Sequence, residues 1–182
     1  MRLGDDGMLD GATYIPSPNC DERPQGCAID LVVIHSISLP PGEFGGKGVI
    51  ELFTNTLVES AHPYYRGIAG LKVSSHFFVN REGRIFQFVP TAKRAWHAGV
   101  SSWRGREKCN DFSIGIELEG TDFVPFTAEQ YAALKALTLA IFERHPGCDI
   151  AGHDEIAPGR KTDPGPFFDW NRYRSALEKL SS

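Results

Sequence analysis

The stretch AIDLVVIHSI, residues 28–37, is an apolar run rich in β-branched residues, and it includes His35 near its end. A continuous run of this kind is typical of a strand that is buried on both faces of a sheet. Segments typical of strands and of helices intermix along the rest of the chain. We therefore expect an α/β fold, in which a central mixed β-sheet is flanked by helices in a single domain.

Further strands are predicted downstream of this run. Arg81, Glu82 and Gly83 separate VSSHFFVN from RIFQFVP, which is a hairpin signal. DFSIGIELEG, residues 111–120, alternates, so that Ile114, Ile116 and Leu118 share one face and Ser113, Gly115, Glu117 and Glu119 share the other. The segment CDIAGH, residues 148–153, predicts a short strand that ends in His153.

Three helices are predicted. Residues 49–57 suit a short helix, and residues 170–180 suit a terminal one. The clearest helix covers residues 127–145, where Thr127 and Gln130 form a capping box ahead of an apolar stripe.

Length and composition limit the possible functions. The 182 residues suit one domain, with residues 1–27 as an irregular arm and residues 28–182 as the domain itself. The net charge of -4 argues against nucleic acid as a partner, since phosphate binding depends on clustered Lys and Arg. No apolar run approaches the ~20 residues of a membrane span, and the start MRLGDDGMLDG does not resemble a signal peptide. We therefore expect a cytoplasmic monomer that does not bind membranes.

The four cysteines, Cys20, Cys27, Cys109 and Cys148, are scattered and have no metal-binding spacing. In a cytoplasmic protein we expect free thiols. The alternative is that Cys20 and Cys27 pair with each other or bind a metal.

Two predicted strands end in histidines, His35 and His153. The functional crevice of an open α/β sheet lies beyond the carboxyl ends of its strands, so both imidazoles could reach one metal ion. Asp163 follows His153 on a proline-rich loop and is a candidate third ligand. Two histidines and one carboxylate around zinc leave a position for water, which is the catalytic type of zinc site.

Hydrolysis of an amide at such a site needs an acid/base group and a group that stabilises the oxyanion. Either Glu117 or Glu119 could be the acid/base, and the alternation alone does not distinguish a catalytic carboxylate from one that faces solvent. Lys161, two residues before Asp163, is a candidate for the oxyanion.

Four segments together resemble the zinc-dependent N-acetylmuramoyl-L-alanine amidases, and most closely their 1,6-anhydro-N-acetylmuramyl-L-alanine branch, which acts in cytoplasmic peptidoglycan recycling. The segments are VVIHSISLPPGEFGG, VSSHFFVNREGRIFQFVP, RAWHAGVSSWRGREKCNDFSIGIELEG and GHDEIAPGRKTDPGPFFDW. The resemblance implies one zinc ion per chain on His35, His153 and Asp163, with Glu117 as the acid/base and Lys161 at the carbonyl. It also implies a muropeptide substrate and the fold shared with peptidoglycan recognition proteins.

Substrate contacts are predicted at six positions. Trp96 and His97 lie in a segment that resembles the family's substrate wall, and Asn110 is expected at the pocket rim. Ser36 replaces the asparagine usual after the first ligand, and Lys72 and Lys108 stand where the family often has arginine. Lysine offers a carboxylate a point charge rather than a two-pronged fork, so the peptide preference is expected to differ.

Two other functions fit these residues less well. A non-catalytic muropeptide-binding module would be expected to lack at least one of the ligand or catalytic residues. A zinc peptidase that cuts within the stem peptide would have the same residues around the metal, and only the bond that it cleaves would distinguish it.

Overall fold

A computed structural model describes residues 1–178 of the chain. Within these residues there are ten strands and four α-helices. The strands are β1 (Thr13–Tyr14), β2 (Cys20–Glu22), β3 (Leu31–Ile37), β4 (Phe77–Val79), β5 (Ile85–Gln87), β6 (Lys93–Ala95), β7 (Ser102–Trp103), β8 (Arg106–Glu107), β9 (Ser113–Glu119) and β10 (Asp149–Gly152). The helices are α1 (Gly48–Phe53), α2 (Ala128–Arg144), α3 (His153–Ile156) and α4 (Trp170–Glu178).

Six strands form the main sheet, in the order β1-β5-β4-β9-β3-β10. The central pairs β10–β3, β3–β9 and β9–β4 are parallel, whereas β4 and β5 form the antiparallel hairpin that the sequence predicts. The expected central mixed sheet flanked by helices is therefore confirmed.

One face of the sheet, which we call the helical face, packs against α2 and α4. Every second residue of β9 belongs to this core, and so do Leu134, Leu137 and Ile141 of α2 and Tyr173 of α4. The apolar stripe of α2 covers the sheet, and burial of this area stabilises the layer arrangement.

The opposite face, which we call the site face, is covered by α1 and by the segments around residues 96–112. Phe78 and Phe88 pack with Leu52 and Phe53 of α1. Leu31 and Val33 of β3 pack in a separate cluster with Phe112 and Ile156 among others. Because side chains alternate along a strand, His35 continues the row of Leu31 and Val33 onto the site face.

Two of the three predicted helices begin and end close to the predicted residues, and the third is shorter than predicted. The capping box at Thr127 and Gln130 is present, and α2 begins at Ala128. The last helix reaches Glu178, and residues 179–180 of the prediction lie outside the described residues. The helix predicted at 49–57 ends at Phe53, because Asn55 adopts a positive φ of 59° that no helix continues.

The arm at residues 1–27 is more ordered than the sequence indicates. It supplies β1, which pairs with β5 at the edge of the main sheet, and β2, which pairs with β6. Strands of two and three residues are too short to show, in the sequence, the alternation of apolar and polar residues that predicts a strand. Arg23 fastens the arm by donating to the carbonyls of Thr91, Asn110, Asp111 and Ser113.

Cys20, Cys27, Cys109 and Cys148 are all free, and Cys20 and Cys27 form no disulfide. None of the helices within residues 1–178 has the length and apolar character that crossing a membrane requires.

Candidate metal and catalytic site

Strand register brings three of the predicted residues together on the site face. His35 of β3 lies directly opposite Glu117 of β9 in the parallel ladder. Gly152 of β10 pairs with Ile34, so the next residue, His153, arrives beside His35. The loop after α3 then returns Asp163, whose carbonyl accepts a hydrogen bond of 2.9 Å from the Asp154 N–H.

Three side-chain atoms converge at this point. The Nδ1 atoms of His35 and His153 are 2.9 Å apart, and Oδ2 of Asp163 lies 3.2 Å from the first and 3.0 Å from the second. Both histidines are buried and Asp163 is nearly so. Within residues 1–178 this is the one group of at least three potential ligands gathered tightly enough to hold a metal ion.

The donor set fits a divalent metal ion of the zinc type. Ligands about 2.0–2.1 Å from a tetrahedral zinc ion lie roughly 3.3–3.4 Å apart, close to the separations found here. The outer nitrogen of His153, Nε2, lies 3.2 Å from the carbonyl of Ala98 and can only donate to it. A neutral His153 therefore presents a lone pair at Nδ1, as a metal ligand must.

The outer nitrogen of His35 has a different partner. Its Nε2 lies 2.9 Å from Nδ1 of His97. Both predicted metal-ligating histidines are therefore held from behind by consecutive residues, His97 and Ala98.

Burial and mutual contacts shift the pKa values of His35 and Asp163. Burial lowers the pKa of His35 to about 4, although the contact of this ring with the Asp163 carboxylate opposes the change. For Asp163, burial alone would raise the pKa, but the hydrogen bonds with His153 and His35 hold it well below its usual range. Metal ligands must be deprotonated, so a metal ion would bind the form of this group in which both imidazoles are neutral and Asp163 is a carboxylate.

Glu117 is a buried carboxyl group beside these three side chains. Its Oε1 lies 4.0 Å from Nδ1 of His35, and its Oε2 is buried with no hydrogen-bond partner among the described residues. Burial raises the pKa of Glu117 well above its usual range, the nearby charge of Asp163 adds to this, and Lys161 opposes it. A carboxyl group whose pKa is raised in this way is suited to accept a proton and return it.

Glu119 is equally buried but serves a different purpose. Its Oε1 accepts a hydrogen bond of 2.5 Å from the N–H of Gly45, and its Oε2 accepts one of 3.0 Å from the N–H of Arg81. Both oxygens are therefore satisfied by backbone groups. The alternation in the strand could not distinguish these two carboxylates. In the described residues, Glu117 has a buried oxygen without a hydrogen-bond partner, and Glu119 does not.

A cavity of about 730 Å³ opens at this group. Its walls include Glu117, His153 and Asp163 from the site, together with Lys161 and Ser36. The remaining wall is partly apolar, and Trp96, His97, Tyr64, Leu71 and Phe123 contribute to it. A polar end and an apolar wall suit a ligand with both kinds of surface.

Three of the predicted substrate residues lie elsewhere. Lys72 is exposed and lies between Leu71 and Val73, which line the cavity although Lys72 does not. Lys108 lines a second cavity of about 550 Å³. Asn110 does not face the main cavity, because its Oδ1 accepts hydrogen bonds from the N–H groups of His97 and Ala98.

Several contacts around the site have no signal in the sequence. Ser113 links Cys109 to His97, and Arg160 donates from Nη2 to the carbonyls of Ala98 and Val100. These residues meet only after the chain has folded. By contrast, a glycine inside a strand is itself a signal of close approach, and Gly115 allows one: a Cβ there would lie 2.5 Å from Cγ of His97.

Comparison with known proteins gives one family. The family model described as N-acetylmuramoyl-L-alanine amidase matches residues 25–166. The chain is 56% identical to the 1,6-anhydro-N-acetylmuramyl-L-alanine amidase AmpD of Citrobacter freundii over 181 residues, which are 98% of this chain and 97% of that protein.

Solved structures agree with this result. A crystal structure of a selenomethionine AmpD derivative, 55% identical, superposes with a TM-score of 0.95 over 97% of this chain and 99% of that one. The amidase AmiD of E. coli, in complex with the substrate anhydro-N-acetylmuramic acid-L-Ala-D-γ-Glu-L-Lys, is 30% identical and has a TM-score of 0.62. The superposition covers 85% of this chain and 60% of the AmiD chain.

Proposed function

The chain belongs to the N-acetylmuramoyl-L-alanine amidase family and is an enzyme of that class, and on this premise we propose its substrate, metal and mechanism. The substrate is a muropeptide with a 1,6-anhydro-N-acetylmuramic acid end, and the bond hydrolysed is the amide between the lactyl group of that sugar and L-alanine. The enzyme acts as a monomer in cytoplasmic peptidoglycan recycling, with one zinc ion per chain.

The proposed substrate rests on two likenesses. The AmpD relative carries the 1,6-anhydro substrate in its name, and it resembles this chain over almost the whole length of both proteins. The AmiD structure holds an anhydromuramyl-tripeptide, which shows that a related fold accepts such a ligand.

His35, His153 and Asp163 would hold the zinc ion through the three atoms that lie 2.9–3.2 Å apart. A zinc ion bound there supplies a Lewis acid, which polarises a carbonyl and lowers the pKa of a water molecule to about 7. Two imidazoles and one carboxylate suit this task, because each can offer a deprotonated atom to the metal ion.

Glu117 is the acid/base in the proposed mechanism. Its unpaired Oε2 accepts a proton from the attacking water, and the same group returns this proton to the alanine nitrogen as the amide bond breaks. The raised pKa of Glu117 favours this second step, because the protonated carboxyl group persists until the leaving amine takes the proton.

Lys161 is proposed to stabilise the oxyanion of the tetrahedral intermediate. Lys161 lines the same cavity as Glu117, and its charge lowers the pKa of that carboxyl group. A positive charge near the carbonyl oxygen gains strength as negative charge develops there.

The cavity walls are proposed to contact the rest of the substrate. Trp96 offers an aromatic face to the sugar, and Ser36 offers a hydroxyl group near the metal ligands. Lys72 and Lys108 lie outside the main cavity wall, so we propose that they act at longer range on the carboxylates of the stem peptide.

One observation carries this proposal: an unpaired, buried glutamate beside three converging metal ligands at the floor of a cavity. The test is incubation of the purified protein with anhydromuramyl-tripeptide, with and without a chelator, followed by mass spectrometry. We expect free anhydro-sugar and intact tripeptide without the chelator, no cleavage with it, and recovery when zinc is restored but not magnesium.

Other products would identify a different enzyme. Cleavage within the tripeptide would indicate a zinc peptidase. Binding of the muropeptide without cleavage, at one zinc ion per chain, would indicate a binding module.

A further inference from the structure

The two predicted metal-ligating histidines are held through their outer nitrogens by residues 97 and 98, at 2.9 Å from His97 Nδ1 and 3.2 Å from the Ala98 carbonyl. We propose that His97 is a positioning residue that fixes the tautomer of His35, so that His35 presents its Nδ1 lone pair to the metal ion. This inference rests on the proposed zinc site and assigns His97 a role behind the metal rather than at the substrate alone.

Ser113 determines which atom donates in the hydrogen bonds that link Cys109, Ser113, His97 and His35. Its Oγ lies 2.5 Å from the carbonyl oxygen of Cys109, and since a carbonyl only accepts, the hydroxyl proton is used there. Nε2 of His97 lies 3.2 Å from the same Oγ. Because that oxygen has no second proton, His97 must donate to it from Nε2.

The tautomer of His97 determines the direction of its hydrogen bond with His35. The partners of the His97 ring are a histidine and a hydroxyl group, neither of which carries a negative charge. A neutral imidazole that is protonated at Nε2 has its lone pair at Nδ1. His97 Nδ1 therefore accepts from Nε2–H of His35, which leaves the lone pair of His35 on Nδ1, pointing at His153 and Asp163.

Packing holds the His97 ring in the position that its hydrogen bonds to Ser113 and His35 require. The ring lies against the backbone of Gly115, where any Cβ would lie only 2.5 Å from Cγ of His97. The Oδ1 atom of Asn110 accepts from the N–H groups of both His97 and Ala98, at 3.1 and 2.8 Å. A larger residue at position 115 or the loss of the amide at 110 would displace the ring.

His153 is held by the neighbouring residue in a simpler way. The Ala98 carbonyl accepts from its Nε2, and the same carbonyl accepts from Nη2 of Arg160 at 2.7 Å. A backbone carbonyl can only accept, so this contact fixes the tautomer of His153 directly, with no side chain between them. Only the contact to His35 depends on a side chain, and it can therefore be tested by substitution.

The test measures the zinc dissociation constant by competition with a chromophoric chelator, and the free energy of unfolding of the metal-free protein. His97→Phe keeps a ring against Gly115 but cannot accept a hydrogen bond, whereas His97→Asn keeps an accepting oxygen at the position of Nδ1. We expect zinc to bind about 10- to 100-fold more weakly to His97→Phe and nearly normally to His97→Asn, as is usual when a group behind a metal ligand is removed or conserved.

Ser113→Ala is the second variant, because it leaves the His97 ring in place and removes only the group that sets its direction. Zinc should bind more weakly than to the unaltered protein, by less than for His97→Phe. Thr138→Val is its matched control: it also removes one buried hydroxyl, on α2 against Tyr173, which belongs to the core on the helical face. It should lower the free energy of unfolding and leave zinc affinity unchanged.

Two results would overturn the inference. One is normal zinc affinity in His97→Phe or, if that variant does not fold, in Ser113→Ala. The other is equal loss in His97→Phe and His97→Asn, which would mean that a hydrogen-bond acceptor at the position of Nδ1 does not sustain zinc binding. Failure of the unaltered protein to bind zinc is a different result, since it would reject the proposed metal site and this inference with it.

Discussion

Strand β9 has two faces of opposite character, and both are buried. The helical face carries Ile114, Ile116 and Leu118, whose burial contributes about 1.5–3 kcal/mol each to stability. The site face carries Ser113, Gly115, Glu117 and Glu119 in alternation with them. Burial of a polar group costs free energy unless it finds a partner, so the site face stabilises the fold less than the helical face does. Activity and stability should therefore respond separately to changes on the two faces.

The largest effect should come from Glu117→Gln. An amide cannot accept the proton of the attacking water, so kcat should fall about 10²- to 10⁴-fold. Stability should not fall, because the change removes a carboxyl group whose Oε2 has no partner in the described structure. Turnover of anhydromuramyl-tripeptide and urea denaturation measure the two quantities. Full turnover with zinc still bound would reject Glu117 as the acid/base.

The same variant tests the cause of the raised pKa. Burial raises the pKa of Glu117 in the folded protein, whereas the unfolded chain releases this proton near pH ~4.3. The folded protein then holds more protons than the unfolded chain above that pH, so its free energy of unfolding falls as pH rises through the folded pKa. For metal-free protein, the stability of Glu117→Gln relative to the unaltered chain should increase from pH 5 to pH 8. A constant difference would contradict this explanation.

Ile116→Ala changes the other face of the same strand. Ile116 is fully buried between the sheet and α2, so its truncation should cost about 2–5 kcal/mol of stability through lost transfer energy and a cavity. Its neighbour Glu117 stays in register with His35, and kcat per folded molecule should not change. Denaturation and active-site-normalised turnover measure this. A large fall in kcat would show that the two faces are coupled.

Glu119→Gln is the matched partner of Glu117→Gln, two residues along the same face. The Glu119 carboxylate accepts from the backbone of both Gly45 and Arg81, and an amide has only one accepting oxygen for these two donors. One buried N–H then loses its partner, at a cost of about 1–3 kcal/mol. Stability should fall and kcat should fall far less than in Glu117→Gln. The opposite result would make Glu119 the functional carboxylate.

Local pattern in the sequence was enough to predict five of the six strands of the main sheet, all but β1, and to bring the two candidate histidine ligands to one edge of it. The apolar run at β3 and the alternation at β9 specify buried strands, and parallel register then fixes which of their ends meet. That is why His35 and His153 could be paired from sequence although 118 residues separate them. The choice of Glu117 over Glu119 came only from family resemblance, and the hydrogen bonds of the two carboxylates supply its physical reason.

The contacts behind the predicted ligands could not be predicted in the same way. His97 reaches His35 from a loop, 62 residues away in sequence, and its direction depends on a hydroxyl group and a carbonyl elsewhere. Asn110 was expected at the pocket rim, but its amide is used by backbone N–H groups of the loop. Loop side chains have no period that would reveal which way they point.

The smallest effect should come from Thr127→Ala, at the start of α2. Thr127 Oγ1 accepts from the Gln130 N–H and donates to the Arg81 carbonyl, so its loss should cost about 1 kcal/mol and lower Tm by about 2–4 °C. This variant also tests whether the two faces of β9 are coupled, because Arg81 donates its N–H to Glu119 on the site face. Arg81 is therefore a physical link between the two faces. If kcat stays constant while Tm falls, this link transmits no change to the catalytic group. If kcat falls as well, the turn at Arg81 couples the helix cap to Glu119, and the two faces of β9 cannot be treated as independent.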